Sequence, residues 1–138
     1  MKFMGLDLGS VTCGVSWSET GMIASTVKTI RFRRDDYDDA LDQILQLIRE
    51  RKPDMLVLGL PLLENGDVAE RARLTLAFGA QLEKESGLPV KMQDERNTTQ
   101  ESEAILLLAD MSRRHRKKKI DQVAAVRILQ RYLDANQV

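Results

Sequence analysis

Asp7, the Asp94-Glu95 pair and Asp121 stand in three short acidic signatures far apart in the chain. These are Gly5-Leu6-Asp7-Leu8-Gly9, Asp94-Glu95-Arg96-Asn97-Thr98-Thr99 and Ile120-Asp121-Gln122-Val123-Ala124-Ala125. Each falls where an apolar strand or helix should begin or end, and a carboxylate beside an apolar core is costly unless a partner compensates it. Converging in space, such carboxylates form an oxygen-ligand site for Mg²⁺ or Mn²⁺, the chemistry of a metal-dependent enzyme. With one cysteine (Cys13) and one histidine (His115), a zinc site of the usual kind is not expected.

Taken singly, each acid also has a structural reading. Asp7, between Gly5 and Gly9, either shapes a strand-end turn or faces a ligand that the small neighbours let approach. In a strand it points away from the face that Leu6 and Leu8 share. Asp94 and Glu95 are adjacent, so in a strand they point to opposite faces and one of them enters a shared site. Asp121 has the chemistry of a helix N-cap, which by itself explains its presence.

The cations are concentrated. Residues 1–111 hold 13 Lys/Arg against 19 Asp/Glu, whereas residues 112–138 hold 8 against 2, so a net charge of zero conceals a basic C-terminal segment. Its centre is Arg113-Arg114-His115-Arg116-Lys117-Lys118-Lys119, read either as a solvated loop or as a phosphate-binding surface. His115 is a phosphate contact or a bystander rather than a general base. With one Trp, two Tyr and three Phe, a stacking platform for unpaired bases is not evident.

The elements that position these residues follow from periodicity. Lys2 to Leu8 predicts a strand, Val11 to Ser18 a half-buried strand with Thr12, Gly14, Ser16 and Ser18 on its polar side, and Ala24 to Phe32 a third. Asp35 to Asp39 opens a helix closed by Pro53, and Met55 to Leu60 is a strand covered on both faces. Asp67 to Ser86 is a helix, Val90 to Gln93 a strand, and Thr98 with Glu101 a capping box before another helix. A basic loop then leads to a last helix opened by Asp121. The Gly59-Leu60-Pro61-Leu62 strand end enters an Asn65-Gly66 turn at the same end of the sheet as Asp94.

The order β-β-β-α-β-α-β-α-α predicts a five-stranded mixed sheet with helices on both faces, an α/β fold in a single domain over residues 1–138. The chain is 43% hydrophobic and 30% charged, which excludes a disordered chain, and no apolar run is long enough to span a membrane. The lone Cys13, in a strand alternation, is core filler or more remotely a nucleophile; it allows no intrachain disulfide and fits a cytoplasmic location.

Together the motifs resemble the YqgF/RuvX family of ribonuclease H-like proteins. The likeness runs from Gly5-Leu6-Asp7-Leu8-Gly9 and Gly14-Val15 through Leu58-Gly59-Leu60-Pro61-Leu62 and Asn65-Gly66. It continues over Asp94-Glu95-Arg96 and Thr98-Thr99 to Ile120-Asp121-Gln122, Ala124-Ala125 and Ile128-Leu129. The resemblance implies a ribonuclease H-like fold and a divalent-metal nuclease on structured nucleic acid. Maturation of the 5′ end of the small-subunit (16S) ribosomal RNA precursor is the favoured function, and resolution of a four-way (Holliday) DNA junction the alternative. It puts Asp7, Glu95 (ahead of Asp94) and Asp121 on two Mg²⁺ or Mn²⁺ ions. Arg96, Arg113, Arg114, Arg116, Lys117, Lys118 and Lys119 fall on the nucleic acid.

Two positions depart from the family pattern: Thr12 stands where an Arg is usual and Glu19 where an Asp is. A non-catalytic RNA-binding module would accommodate the first departure. An ATPase of the actin and sugar-kinase type begins with a similar Asp-x-Gly loop, but clamps its nucleotide between two such domains.

Overall fold

A computed structural model describes residues 1–62, 70–95 and 113–136, with the backbone alone for 113–122. The elements are β1 (Phe3–Leu8), β2 (Thr12–Ser18), β3 (Ser25–Arg31), α1 (Tyr37–Arg51), β4 (Met55–Leu60), α2 (Glu70–Ser86), β5 (Val90–Asp94) and α3 (Arg113–Ala135). The Asn65-Gly66 turn, Arg96 and the helix expected after Thr98 lie outside the described residues.

The five strands form one mixed sheet in the order β3-β2-β1-β4-β5. β1, β2 and β3 pair antiparallel, with Asp7 opposite Gly14, while β1–β4 and β4–β5 are parallel. The carboxyl ends of β1, β4 and β5 therefore lie together at one edge of the molecule.

Alternation sorts the side chains onto two different faces. Met4, Leu6, Leu8, Cys13, Val15, Trp17, Leu56 and Leu58 pack under Leu41, Ile44 and Ile48 of α1 and Phe78 and Leu82 of α2. Helix α1 is capped at its start by Asp36, whose carboxylate accepts from Asp39 N–H, and at its end by Lys52, in the left-handed conformation just before Pro53. The opposite face carries α3, through Ile128, Leu129 and Leu133 packed on Val57.

This second face corrects the expectation of a half-buried β2. Thr12, Ser16 and Ser18 are all buried, because α3 covers the polar side of the strand. The Ser16 hydroxyl donates to the Ala125 carbonyl at 2.7 Å, so this buried polar side chain is satisfied by helix backbone.

Two glycines allow α3 to lie so close. A Cβ at Gly5 would overlap Ser16 Oγ and stand 2.8 Å from Leu129 Cβ; one at Gly59 would stand 2.5 Å from Ile128 Cδ1. Gly5 thus serves helix-to-sheet packing, a use beyond the ligand approach its sequence setting points to.

The basic run is also not a loop. Helix α3 starts at Arg113, so residues 113–119 form its first two turns and Asp121 lies within the helix, not at its N-cap. Arg and Lys have high helix propensity and no Gly or Pro interrupts the run, so the helix extends through it.

Candidate functional site

The sheet face under α3 decides which acids share a space. Gly5 touches α3, so Asp7, two residues on in the same strand, presents its half-buried side chain to that same face. Across β4, Leu58 pairs with Met92 and Leu60 with Asp94, all of them on the register of the α1–α2 face. Asp94 is exposed. Glu95, one residue further, turns to the α3 face, where its Cγ lies 3.3 Å from the position a Cβ on Gly59 would take.

Glu95 is held by backbone and side chain together. Its N–H donates to the Leu60 carbonyl at 2.8 Å, which extends the β4–β5 pairing by one step. Its carboxylate meets two arginines of α3: Arg131 Nη1 at 3.3 Å from Oε1 and Arg127 Nη2 at 4.0 Å from Oε2. The Glu95 side chain is only 12% exposed, so these contacts are less screened than surface ion pairs.

The direction of α3 locates Asp121. Tyr132 rests against Phe3, ring centroids 6.2 Å apart, and its hydroxyl donates to Met55 Sδ, at the starts of β1 and β4. Leu129 and the Ala125 carbonyl lie over Gly5. The helix therefore runs antiparallel to β1, and residues upstream of Ala125 lie toward the Asp7 end. Asp121 precedes Ala125 by one turn.

Among the described residues no three acidic, cysteine or histidine side chains form a metal-binding group. The side chains of Asp121 and of Arg113 to Lys119 lie outside the described residues, as does Arg96 altogether. Asp7 and Glu95 are hard oxygen donors on one face, which fits Mg²⁺ or Mn²⁺ better than a softer metal. Cys13 is buried in the α1–α2 core, which is the structural place expected of a filler.

A second arrangement holds the turn after Asp7. Arg71, in the first turn of α2, donates from Nη2 to the Leu8 carbonyl at 2.7 Å and from Nη1 to the Tyr37 hydroxyl oxygen at 2.6 Å. Its guanidinium also lies 5.7 Å from the centre of the Tyr37 ring. Tyr37 donates to Asp35, and Asp35 N–H donates to the Ser10 carbonyl at 2.8 Å. Helices α1 and α2 thereby clamp the β1–β2 connection from the far side of the sheet.

Arg71, Arg127 and Arg131 are the residues that sequence reasoning missed. Arg127 and Arg131 did carry a signal, since two cations four residues apart flank the apolar stripe of the last helix. Nothing in the local sequence marks Arg71, whose partners lie 34 and 63 residues away.

Comparison with known proteins agrees with this architecture. The RuvX family profile, described as Holliday junction resolvase, matches residues 1–135. A Lactococcus lactis protein named "Putative pre-16S rRNA nuclease" is 44% identical over 136 residues, covering 98% of this chain and 95% of its own length. A Bacillus subtilis protein of the same name is 43% identical over 136 residues, covering 98% of this chain and 99% of its own. Among solved structures, Thermus thermophilus RuvC in complex with a Holliday junction substrate superposes with a TM-score of 0.60. Its identity is 14%, covering 98% of this chain and 95% of that one. A ROK family protein from Streptococcus pneumoniae, in complex with sucrose, superposes with a TM-score of 0.53 at 15% identity. The match covers 81% of this chain and 39% of that one. At these identities the superpositions establish the shared fold, which is the ribonuclease H-like fold expected from the sequence.

Proposed function

Because the chain belongs to the RuvX family, we propose that it is a divalent-metal-dependent nuclease acting on structured nucleic acid. The favoured substrate is the precursor of the small-subunit ribosomal RNA, cut in maturation of its 5′ end; a four-way DNA junction is the alternative. The names carried by its relatives support a nuclease. One observation carries the reading of the site: Asp7 and Glu95 share the α3 face at the carboxyl ends of their strands.

In this reading Asp7, Glu95 and Asp121 hold Mg²⁺ or Mn²⁺, and Asp94, exposed on the other register, does not. A bound divalent cation supplies charge stabilisation at the scissile phosphate and a more acidic water. The chain's own contribution is to hold the carboxylates rigidly. Strand pairing fixes Asp7 opposite Gly14, the Glu95 N–H bond to Leu60 fixes the end of β5, and the Arg71 clamp holds the turn after Asp7.

The cations of residues 113–119, together with Arg96, are the proposed backbone-phosphate contacts. They occupy the first described turns of α3, where six Lys/Arg and no acidic residue stand in sequence. A polyanion relieves their mutual repulsion.

The deciding experiment incubates wild type and Asp7→Asn with precursor ribosomal RNA and with four-way DNA junctions, each with Mg²⁺ and with Mn²⁺. Cleavage of the RNA by wild type and its loss in Asp7→Asn is the expected result. Cutting of the junction alone moves the substrate to DNA. Equal cleavage by Asp7→Asn overturns the metal site. The engagement of Glu95 by Arg131 favours one second reading, a non-catalytic RNA-binding module, and salt-dependent binding without cleavage under either cation would establish it.

A further inference from the structure

Glu95 is asked to satisfy two kinds of cation. Its carboxylate already meets Arg131 at 3.3 Å and Arg127 at 4.0 Å. A divalent ion on the same oxygens is repelled by both guanidinium charges and competes with Arg131 for the lone pairs of Oε1. The arginines, by contrast, have an alternative partner within their chemistry. A guanidinium binds a phosphodiester through the same paired N–H groups it uses for a carboxylate. The Arg127 and Arg131 side chains are 26% and 36% exposed, so a ligand on the surface of α3 can reach them.

Helical register connects this pair to the basic run. Positions 113, 116, 120, 127 and 131 advance by three, four, seven and four residues, the steps that keep positions on one ridge of an α-helix. A nucleic-acid backbone bound at residues 113–119 and following that ridge arrives at Arg127 and Arg131.

We propose that Arg127 and Arg131 form a substrate-responsive latch on Glu95: backbone phosphates of a bound nucleic acid draw the guanidiniums off the carboxylate, which is then available to the divalent cation. The latch rests on the reading of Glu95 as a metal ligand. No covalent bond changes; the guanidinium charge moves from carboxylate to phosphate, and the divalent ion takes its place. Metal binding is consequently weak until the substrate is present. By linkage the metal strengthens nucleic-acid binding by the same factor.

The test measures Mn²⁺ binding to the full chain through the paramagnetic resonance signal of the free ion. It is run with and without a 2′-O-methyl phosphorothioate oligonucleotide that resists hydrolysis. For wild type the oligonucleotide should tighten Mn²⁺ binding about tenfold, within the usual range of such couplings. Arg131→Gln, a change at the more exposed arginine, should bind Mn²⁺ about fivefold tighter than wild type without oligonucleotide and lose most of the oligonucleotide effect. Arg131→Lys, which keeps the charge but not the fork, should fall between them.

Identical Mn²⁺ binding by wild type and Arg131→Gln in both conditions overturns the latch. So does an oligonucleotide effect of equal size in the two proteins, which would mean that phosphate contacts the ion directly. Asp7→Asn and Glu95→Gln separate the two levels. If both bind Mn²⁺ as wild type does, the metal site itself is wrong and the latch falls with it. If they lose binding while Arg131→Gln behaves as wild type, only the latch is wrong.

Discussion

Glu95 and Arg131, 36 residues apart in sequence, meet at 3.3 Å across the gap between the end of β5 and the last third of α3. The contact joins the sheet's carboxyl edge to the helix that carries the basic run of residues 113–119. It also separates Glu95 from its neighbour Asp94, which is exposed and lies on the other register.

Neutralising the two adjacent acids should have unequal effects. Glu95→Gln is expected to reduce cleavage of structured nucleic acid by about a hundredfold or more, the scale seen when an electrostatic contact to the reacting centre is lost. Asp94→Asn should stay within about threefold of wild type, as expected for an exposed position. Single-turnover cleavage assays on both variants check this, and equal loss in the two would refute the assignment by face.

Gly5→Ala should act on the seat of α3. The added methyl would stand 2.8 Å from Leu129 Cβ and overlap Ser16 Oγ. Overpacking of this kind costs about 1–3 kcal/mol. A urea titration should therefore show a lower midpoint, and Mn²⁺ binding should weaken as the helix moves off the sheet. An unchanged midpoint would mean that the helix has room the packing does not show.

Arg71→Ala removes two charge-assisted hydrogen bonds at the Leu8 carbonyl and the Tyr37 hydroxyl. A loss of about 2 kcal/mol in unfolding free energy is expected. Because the same bonds hold the turn next to Asp7, cleavage should fall further than stability alone explains, at a temperature where the variant is still folded. Arg71→Lys cannot reproduce both bonds and should recover little of the loss.

Replacing Lys117, Lys118 and Lys119 together with Gln should weaken RNA binding and flatten its salt dependence. If all three contact phosphate, the slope of log affinity against log salt should fall by about 2 for single-stranded RNA. Fluorescence anisotropy at several salt concentrations measures it. A weaker affinity with an unchanged slope would remove these lysines from the phosphate contacts.

Much of this was legible in the chain itself. The alternation of Cys13, Val15 and Trp17 against Thr12, Gly14 and Ser16, and the apolar run from Met55 to Leu60, determined strands because side-chain periodicity is a local property. The motifs around Asp7, Glu95 and Asp121 marked the family and the candidate acids. Continuity of secondary structure was less legible. Residues 113–119 read as loop because a run of charge has no apolar stripe, although the same side chains are good helix formers and α3 begins with them.

What only the tertiary structure decided is which residues meet. The polar side of β2 is buried because α3 lies on it, and no pattern within the strand reveals a helix more than 90 residues away. The choice between Asp94 and Glu95 is a question of which sheet face each one presents. That depends on where β5 ends relative to Leu60 and on which face α3 covers. Likewise, the roles of Arg71, Arg127 and Arg131 come from partners brought together by strand order and helix direction. Local sequence sets the elements through short-range sterics and periodicity; the candidate site is assembled by long-range packing, which only the folded chain supplies.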